Sequence, residues 1–194
     1  MFVLTVDQQR SRKEPDRVED LLNDLPPVPM VRGFERTAGD EVQGVTDSPA
    51  AVIELALDLT RRGHWSIGIG IGEVEEPLPA STRAGRGPAF EAARIAVERA
   101  KRAPAKVAVE GRDASAAADA EAALTLLALL VARRSEQGHA AVALMRTHAN
   151  QSVAADTLGI SNQAMSQRLS AAGWQAEGPG RSLAVKLLTE AGAT

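Results

Sequence analysis

Apolar positions recur along this chain with a period that changes from two to about 3.6 and back, and each change marks an element. Phe2-Val3-Leu4-Thr5-Val6 is a short β-rich run that predicts a buried strand ending at Asp7. After the polar stretch from Gln8 to Pro15, Val18, Leu21, Leu22 and Leu25 recur at helical spacing and stop before Pro26-Pro27. Val31 to Val45 predicts two strands around a tight turn at Ala38-Gly39-Asp40-Glu41. Ser48-Pro49 opens a helix whose stripe is Val52, Leu55 and Leu59 and whose end is Gly63. From Trp65 to Val74 isoleucine alternates with glycine, the pattern of a strand whose glycine face admits a close neighbour. A loop from Glu76 to Gly87, a helix from Pro88 to Arg102 and a strand from Lys106 to Val109 follow. This order predicts an α+β fold, an antiparallel sheet covered by helices.

Asp113 to Arg134 reads as a long alanine-rich helix with leucines at 124, 126, 127, 129 and 130, too apolar for a free linker. It is expected to join two domains or to form a dimer contact. The expected division is therefore 1–112, a connecting or dimerisation helix over 113–135, and a helical domain over 136–194. Arg181 to Ala191 favours a last helix over a β-wing, with Leu183, Leu187 and Leu188 as its stripe.

Within that last domain, Gln151 to Leu169 has the pattern of a helix-turn-helix. Ala155 supplies the small residue where two helices cross, and Gly159 stops the first helix where a left-handed conformation is easiest. Leu158 and Ile160 fill the angle, and Ser161 is a good N-cap for the second helix. Met165 and Leu169 share the inward face. Asn162, Gln163, Ser166, Gln167 and Arg168 remain outside, where amides, hydroxyls and a guanidinium suit base edges and phosphates. Ser161 and these five residues are the expected DNA contacts.

Composition adjusts this picture. A hydrophobic share of 44% and a charged share of 24% are those of an ordinary globular protein, and 3% aromatic residues imply an aliphatic core. The formal charge of −3 argues against a protein that coats nucleic acid or a membrane surface. From Glu136 onward four basic residues balance four acidic ones, so a helical reader would hold DNA weakly alone and profit from a homodimer. Absence of cysteine excludes disulfides, thiolate metal sites and cysteine nucleophiles. No secretory signal is evident, and the greasy run Ala122–Ala132 is about half the roughly 20 residues of a membrane span. A cytoplasmic location is expected.

Asp7 at a strand end and Asp40 in the hairpin turn are the chemical pair of the first domain. If their strands are neighbours, both carboxylates emerge at one edge and repel unless a cation lies between them. Mg²⁺ with a nucleotide is one such arrangement. Gly39 would leave backbone N–H groups open to phosphate, with Glu41 beside it, and Arg10, Ser11, Arg12 and Lys13 lie just beyond Asp7. The alternative is that both aspartates are turn and capping residues. The three histidines, His64, His139 and His148, have no metal spacing, and Trp65 and Trp174 read as core anchors.

Ala38 to Val42, A-G-D-E-V, resembles the signature hairpin of GGDEF diguanylate cyclases. Arg36 to Val45 equally resembles the corresponding hairpin of class III nucleotide cyclases, Ile67 to Val74 their next strand, and Gly87 to Arg94 their following helix. As a set, these blocks are most similar to the SatD-like family of bacterial proteins, over roughly residues 2 to 110. The resemblance implies a ferredoxin-like, cyclase-type sheet with Asp7 and Asp40 as metal carboxylates and Arg94 as a phosphate-stabilising arginine. Phe90 stands where class III cyclases carry an asparagine, which implies lost turnover. The expectation is a DNA-binding transcriptional regulator with a degenerate cyclase-like sensor or dimerisation domain that binds a purine nucleotide, not an enzyme. The alternative is an active metal-dependent nucleotidyl cyclase with a DNA- or protein-binding appendage.

Overall fold

Glycines in the middle of a strand are the key to this architecture. The computed structural model describes residues 1–148 and 150–193. Its strands are β1 (Phe2–Gln8), β2 (Arg32–Ala38), β3 (Glu41–Thr46), β4 (Trp65–Ile71) and β5 (Val107–Gly111). Its helices are α1 (Val18–Asp24), α2 (Pro49–Arg62), α3 (Pro88–Ala100), α4 (Ala114–Ala132), α5 (Glu136–Thr147), α6 (Gln151–Thr157), α7 (Asn162–Ala171) and α8 (Trp174–Ala193). Along β4, Ile67, Ile69 and Ile71 enter the main core on one face of the sheet. Gly68 and Gly70 face the other way, and α3 lies directly on them. A Cβ at Gly68 would stand 2.2 Å from the Val97 backbone nitrogen, and one at Gly70 2.1 Å from the Ala89 carbonyl oxygen. Small residues on α3 (Ala89, Ala93, Ala96) complete this backbone-to-backbone seat.

The strand order is β2-β3-β1-β4-β5. β1 is antiparallel to both β3 and β4, and β2 is antiparallel to β3. The expectation of a wholly antiparallel sheet needs correction, because β5 runs parallel to β4, from Ile67↔Val107 to Ile71↔Gly111. The cause is α3, which crosses the sheet and returns the chain to the end where β4 began. Helices cover both faces: α3 lies on one, and α2, α4 and α8 on the other.

The two largest apolar clusters bring together elements that lie far apart in the chain. The larger unites the strands and α2 with Ala117, Ala120, Leu124, Leu127, Ala128 and Val131 of α4 and Ala184, Leu188 and Ala191 of α8. By length and composition α4 could cross a membrane, with mean hydropathy 1.6, yet it forms a layer of this core instead of a free connector. The smaller core joins Ala141, Val142, Ala154, Ala155, Met165, Leu169 and Ala172, from α5 to the end of α7. The helical trio α5–α7 is thus inserted between two helices of the sheet unit and held at both ends.

Helix α8 begins seven residues before the Arg181 start expected from the leucine stripe, and runs through Pro179. Its first turns are fixed by charge. Glu177 accepts from Arg134 Nη2 at 2.6 Å, from Arg181 Nε at 2.6 Å, and from Arg146 Nη2. The side chains of Glu177 and Arg134 are each only 2% exposed. These guanidiniums hold the Glu177 carboxyl down to about 2 against the opposing effect of burial. One carboxylate therefore ties α4, α5 and α8 together.

Candidate functional site

The turn between α6 and α7 has the geometry that its residues predict. Gly159 takes φ of 63°. Its N–H donates to the Asp156 carbonyl at 3.0 Å, and the Ile160 N–H donates to the Ala155 carbonyl at 3.1 Å. These are the two bonds of a Schellman stop, which close the carbonyls left free at a helix end. The Ser161 hydroxyl then accepts from the Ala164 N–H at 3.2 Å and starts α7. Met165 is fully buried and Leu169 is 5% exposed, so α7 has one anchored face against α5 and α6.

The opposite face is polar and open. Ser161, Asn162, Gln163, Ser166 and Gln167 are exposed, and Arg168 is half-buried. Asn162 links the two helices: its Oδ1 accepts from the Ser152 hydroxyl at 3.2 Å, and its carbonyl from the Gln151 side-chain amide at 3.1 Å. Gln151 and Ser152 thereby extend the polar face, a role that sequence spacing does not reveal. Charge is distributed less evenly than the balanced tally from Glu136 onward. Arg146 and Arg181 are held by Glu177 and Glu54, and Lys186 lies 3.8 Å from Glu190. Arg168 is left as the basic residue of this segment with no ion pair among the described residues.

The second candidate site lies at the end of β1. Asp7 pairs in register with Glu41, and the Gln8 N–H donates to the Asp40 carbonyl at 3.2 Å. Asp7, Arg10, Ser11, Arg12, Lys13 and Asp40 line one open cleft of about 660 Å³. Gly39, at φ 58°, has open space beside it. The structure also brings in Lys101, just past α3, with Nζ 3.2 Å from Asp7 Oδ2 and 2.7 Å from Glu98. Burial pushes the Asp7 carboxyl above its usual range; Lys101 opposes this, while Asp40 and Glu41 add to it. For Lys101, burial lowers the pKa, but Glu98 and Asp7 together hold it above its usual value. The two shifts do not mirror each other because Glu98 helps only the lysine.

The ammonium of Lys101 lies beside Asp7, and the described residues contain no group of three or more metal-ligating side chains. Four cationic side chains (Arg10, Arg12, Lys13 and Lys101) face two carboxylates in the cleft. Glu41 does not line it; its carboxylate accepts from the Thr37 hydroxyl at 2.5 Å. Arg94 is also elsewhere, exposed on α3 and lining a groove with Glu98 and Arg102. Phe90, 7% exposed, packs with Val3, Val45 and Leu78 in a core of its own. The phosphate role implied for Arg94 is therefore not met in this cleft, because α3 presents the helix turn of Lys101 to it.

Comparison with known proteins gives no matching family model, no similar curated protein and no similar solved structure.

Proposed function

We propose that this protein is a DNA-binding transcriptional regulator that reads duplex DNA with α7 and carries its reader on a cyclase-like, ferredoxin-type sheet. The observation that carries this reading is the outward face of α7: five exposed polar side chains and Arg168, which has no ion pair among the described residues, set on a helix anchored by Met165 and Leu169. Arg168 and the amides Asn162, Gln163 and Gln167 read base edges, while Ser161, Ser166, Gln151 and Ser152 contact phosphates. A homodimer presents two such helices about one helical turn apart. Leu126 and Leu183, 70% and 52% exposed on α4 and α8, supply apolar surface for that contact.

Selection of bound fragments from genomic DNA with the purified protein tests this. A discrete, roughly palindromic site is expected, and Gln167→Ala and Arg168→Ala should each weaken it by about 1–3 kcal/mol. Enrichment of no sequence would remove the regulator from consideration.

The sheet unit serves as sensor. A purine nucleotide lies with its phosphates on Arg10, Arg12, Lys13 and Lys101, without a required Mg²⁺. Lys101→Ala removes one phosphate partner and also leaves Asp7 unneutralised, so affinity for GTP or ATP should fall about tenfold or more in calorimetry. Equal affinity in the variant would separate nucleotide binding from this cleft. The competing reading, an active nucleotidyl cyclase, is favoured by the shared cleft of Asp7 and Asp40 and opposed by Lys101 and the position of Arg94. Cyclic product from ATP or GTP with Mn²⁺, lost in Asp40→Ala, would reverse this preference.

A further inference from the structure

Between α2, α4, α5 and α8, where the two apolar cores meet, lies a cavity of about 450 Å³. That volume falls within the range of small-molecule sites, which favour such seams. Its charges do not balance internally. Arg61 rests on Asp58 at 2.7 Å, which Arg62, outside the cavity wall and also 3.9 Å from Asp24, contacts at 2.6 Å. Arg146 and Arg181 share Glu54, at 3.7 and 2.5 Å. Arg134, Arg146 and Arg181 share Glu177. Four guanidiniums thus line the cavity (Arg61, Arg134, Arg146 and Arg181) and rest on three carboxylates, Glu54 and Asp58 in its wall and Glu177 beside it.

The excess is located at the mouth. The Arg61 side chain is 49% exposed and donates to Asp58 through Nη2; that of Arg146 is 40% exposed. His139 lines the cavity beside them. Burial lowers its pKa first, and Arg134, Arg61 and Arg146 lower it further against the weaker pull of Glu177, as a positive field would. The remaining wall is apolar: Leu57, Val131 and Val142 are all nearly buried and line the same space.

We infer that this cavity is a binding site for a small carboxylate with an apolar body, its carboxylate on Arg61 and Arg146 and its body against Leu57, Val131 and Val142. A carboxylate matches two guanidinium forks, and a desolvated apolar body makes the site prefer organic acids to inorganic anions. This site is separate from the nucleotide cleft and independent of DNA reading. Because its walls come from both the sheet unit and α5, the bound acid bridges the sensor and the helical trio.

The test uses the full chain with sodium benzoate and sodium octanoate as probes, and inorganic phosphate at matched ionic strength as the control. Calorimetry should give saturable binding of a carboxylate, and proton NMR should move the His139 ring signal while those of His64 and His148 stay. Arg61→Gln, at an exposed position that leaves Glu177 undisturbed, should weaken binding about tenfold. His139 makes the location readable without any variant, so a misfolded mutant does not blunt the test. Absence of saturable binding, binding without movement of His139, unaltered affinity in Arg61→Gln, or equal binding of phosphate would each overturn the proposal.

Discussion

Glu177→Gln should lower the stability of the protein by about 3–5 kcal/mol, the usual consequence of removing one member of a buried ionic cluster. Arg134 is left 2% exposed beside a neutral amide, and Arg146 and Arg181 lose one of their two carboxylates and keep Glu54. Against a total stability of about 5–15 kcal/mol, that is a large share. For a chain of this length it corresponds to a fall in Tm of roughly 6–20 °C. The wild-type protein should show the same dependence on acid. The Glu177 carboxyl ionises near 2 when folded and at the ordinary 4.5 when unfolded. Its stabilising contribution, about 3 kcal/mol, is therefore complete above pH 5 and disappears as pH falls toward 2. In Glu177→Gln that part of the acid limb should be missing. Urea titrations of both proteins between pH 2.5 and 7 settle the matter; parallel pH curves would mean that the cluster does not stabilise the fold.

Gly70→Ala is expected to cost on the order of 3 kcal/mol or more, since overpacking against backbone cannot be relieved by a rotamer change. The new methyl would stand 2.1 Å from the Ala89 carbonyl oxygen and 2.2 Å from the Ala93 nitrogen, so α3 must lift from the sheet. Lys101 follows α3 directly, and its ion pair with Asp7 should loosen with it. Gly33→Ala is the matched control on β2, where an added Cβ meets nothing within 4 Å. Denaturation midpoints should separate the two variants widely; similar midpoints would show that the glycine seat is not tight.

Local pattern made most elements legible, and partners across the fold much less so. The isoleucine–glycine alternation of β4 indicated a close neighbour, but not that α3 is that neighbour or that β5 would therefore run parallel. The stop at Gly159 and the cap at Ser161 were readable because their bonds span only a few residues. Lys101 was not, because nothing in sequence spacing connects a helix end to the end of β1. Helix α5 went unread although Ser135 caps it in the ordinary way, through a bond from the Gly138 N–H at 3.1 Å. The leucines of α4 predict a connecting or dimer helix; in the structure Leu124 and Leu127 join the main core with α8, beyond the whole helical trio, while Leu126 stays exposed. Long-range charge is the least legible of all: the balanced tally conceals a cluster around Glu177 and an arginine on α7 with no ion pair among the described residues.

The shared core of β1 and α8 has a consequence for how the protein is made. Phe2 and Leu4 are buried with Leu188 and Ala191, and a Cβ on Gly192 would stand 3.3 Å from the Phe2 ring. Some 185–190 residues separate these partners, so at about 5–20 residues per second the ribosome needs roughly 10–40 s between them. The trio α5–α7 has mainly local contacts and can close as soon as it emerges, whereas the sheet must wait for α8. Through that interval the isoleucine face of β4 stands without its last cover, which makes the nascent sheet a natural client for a chaperone that binds aliphatic strands.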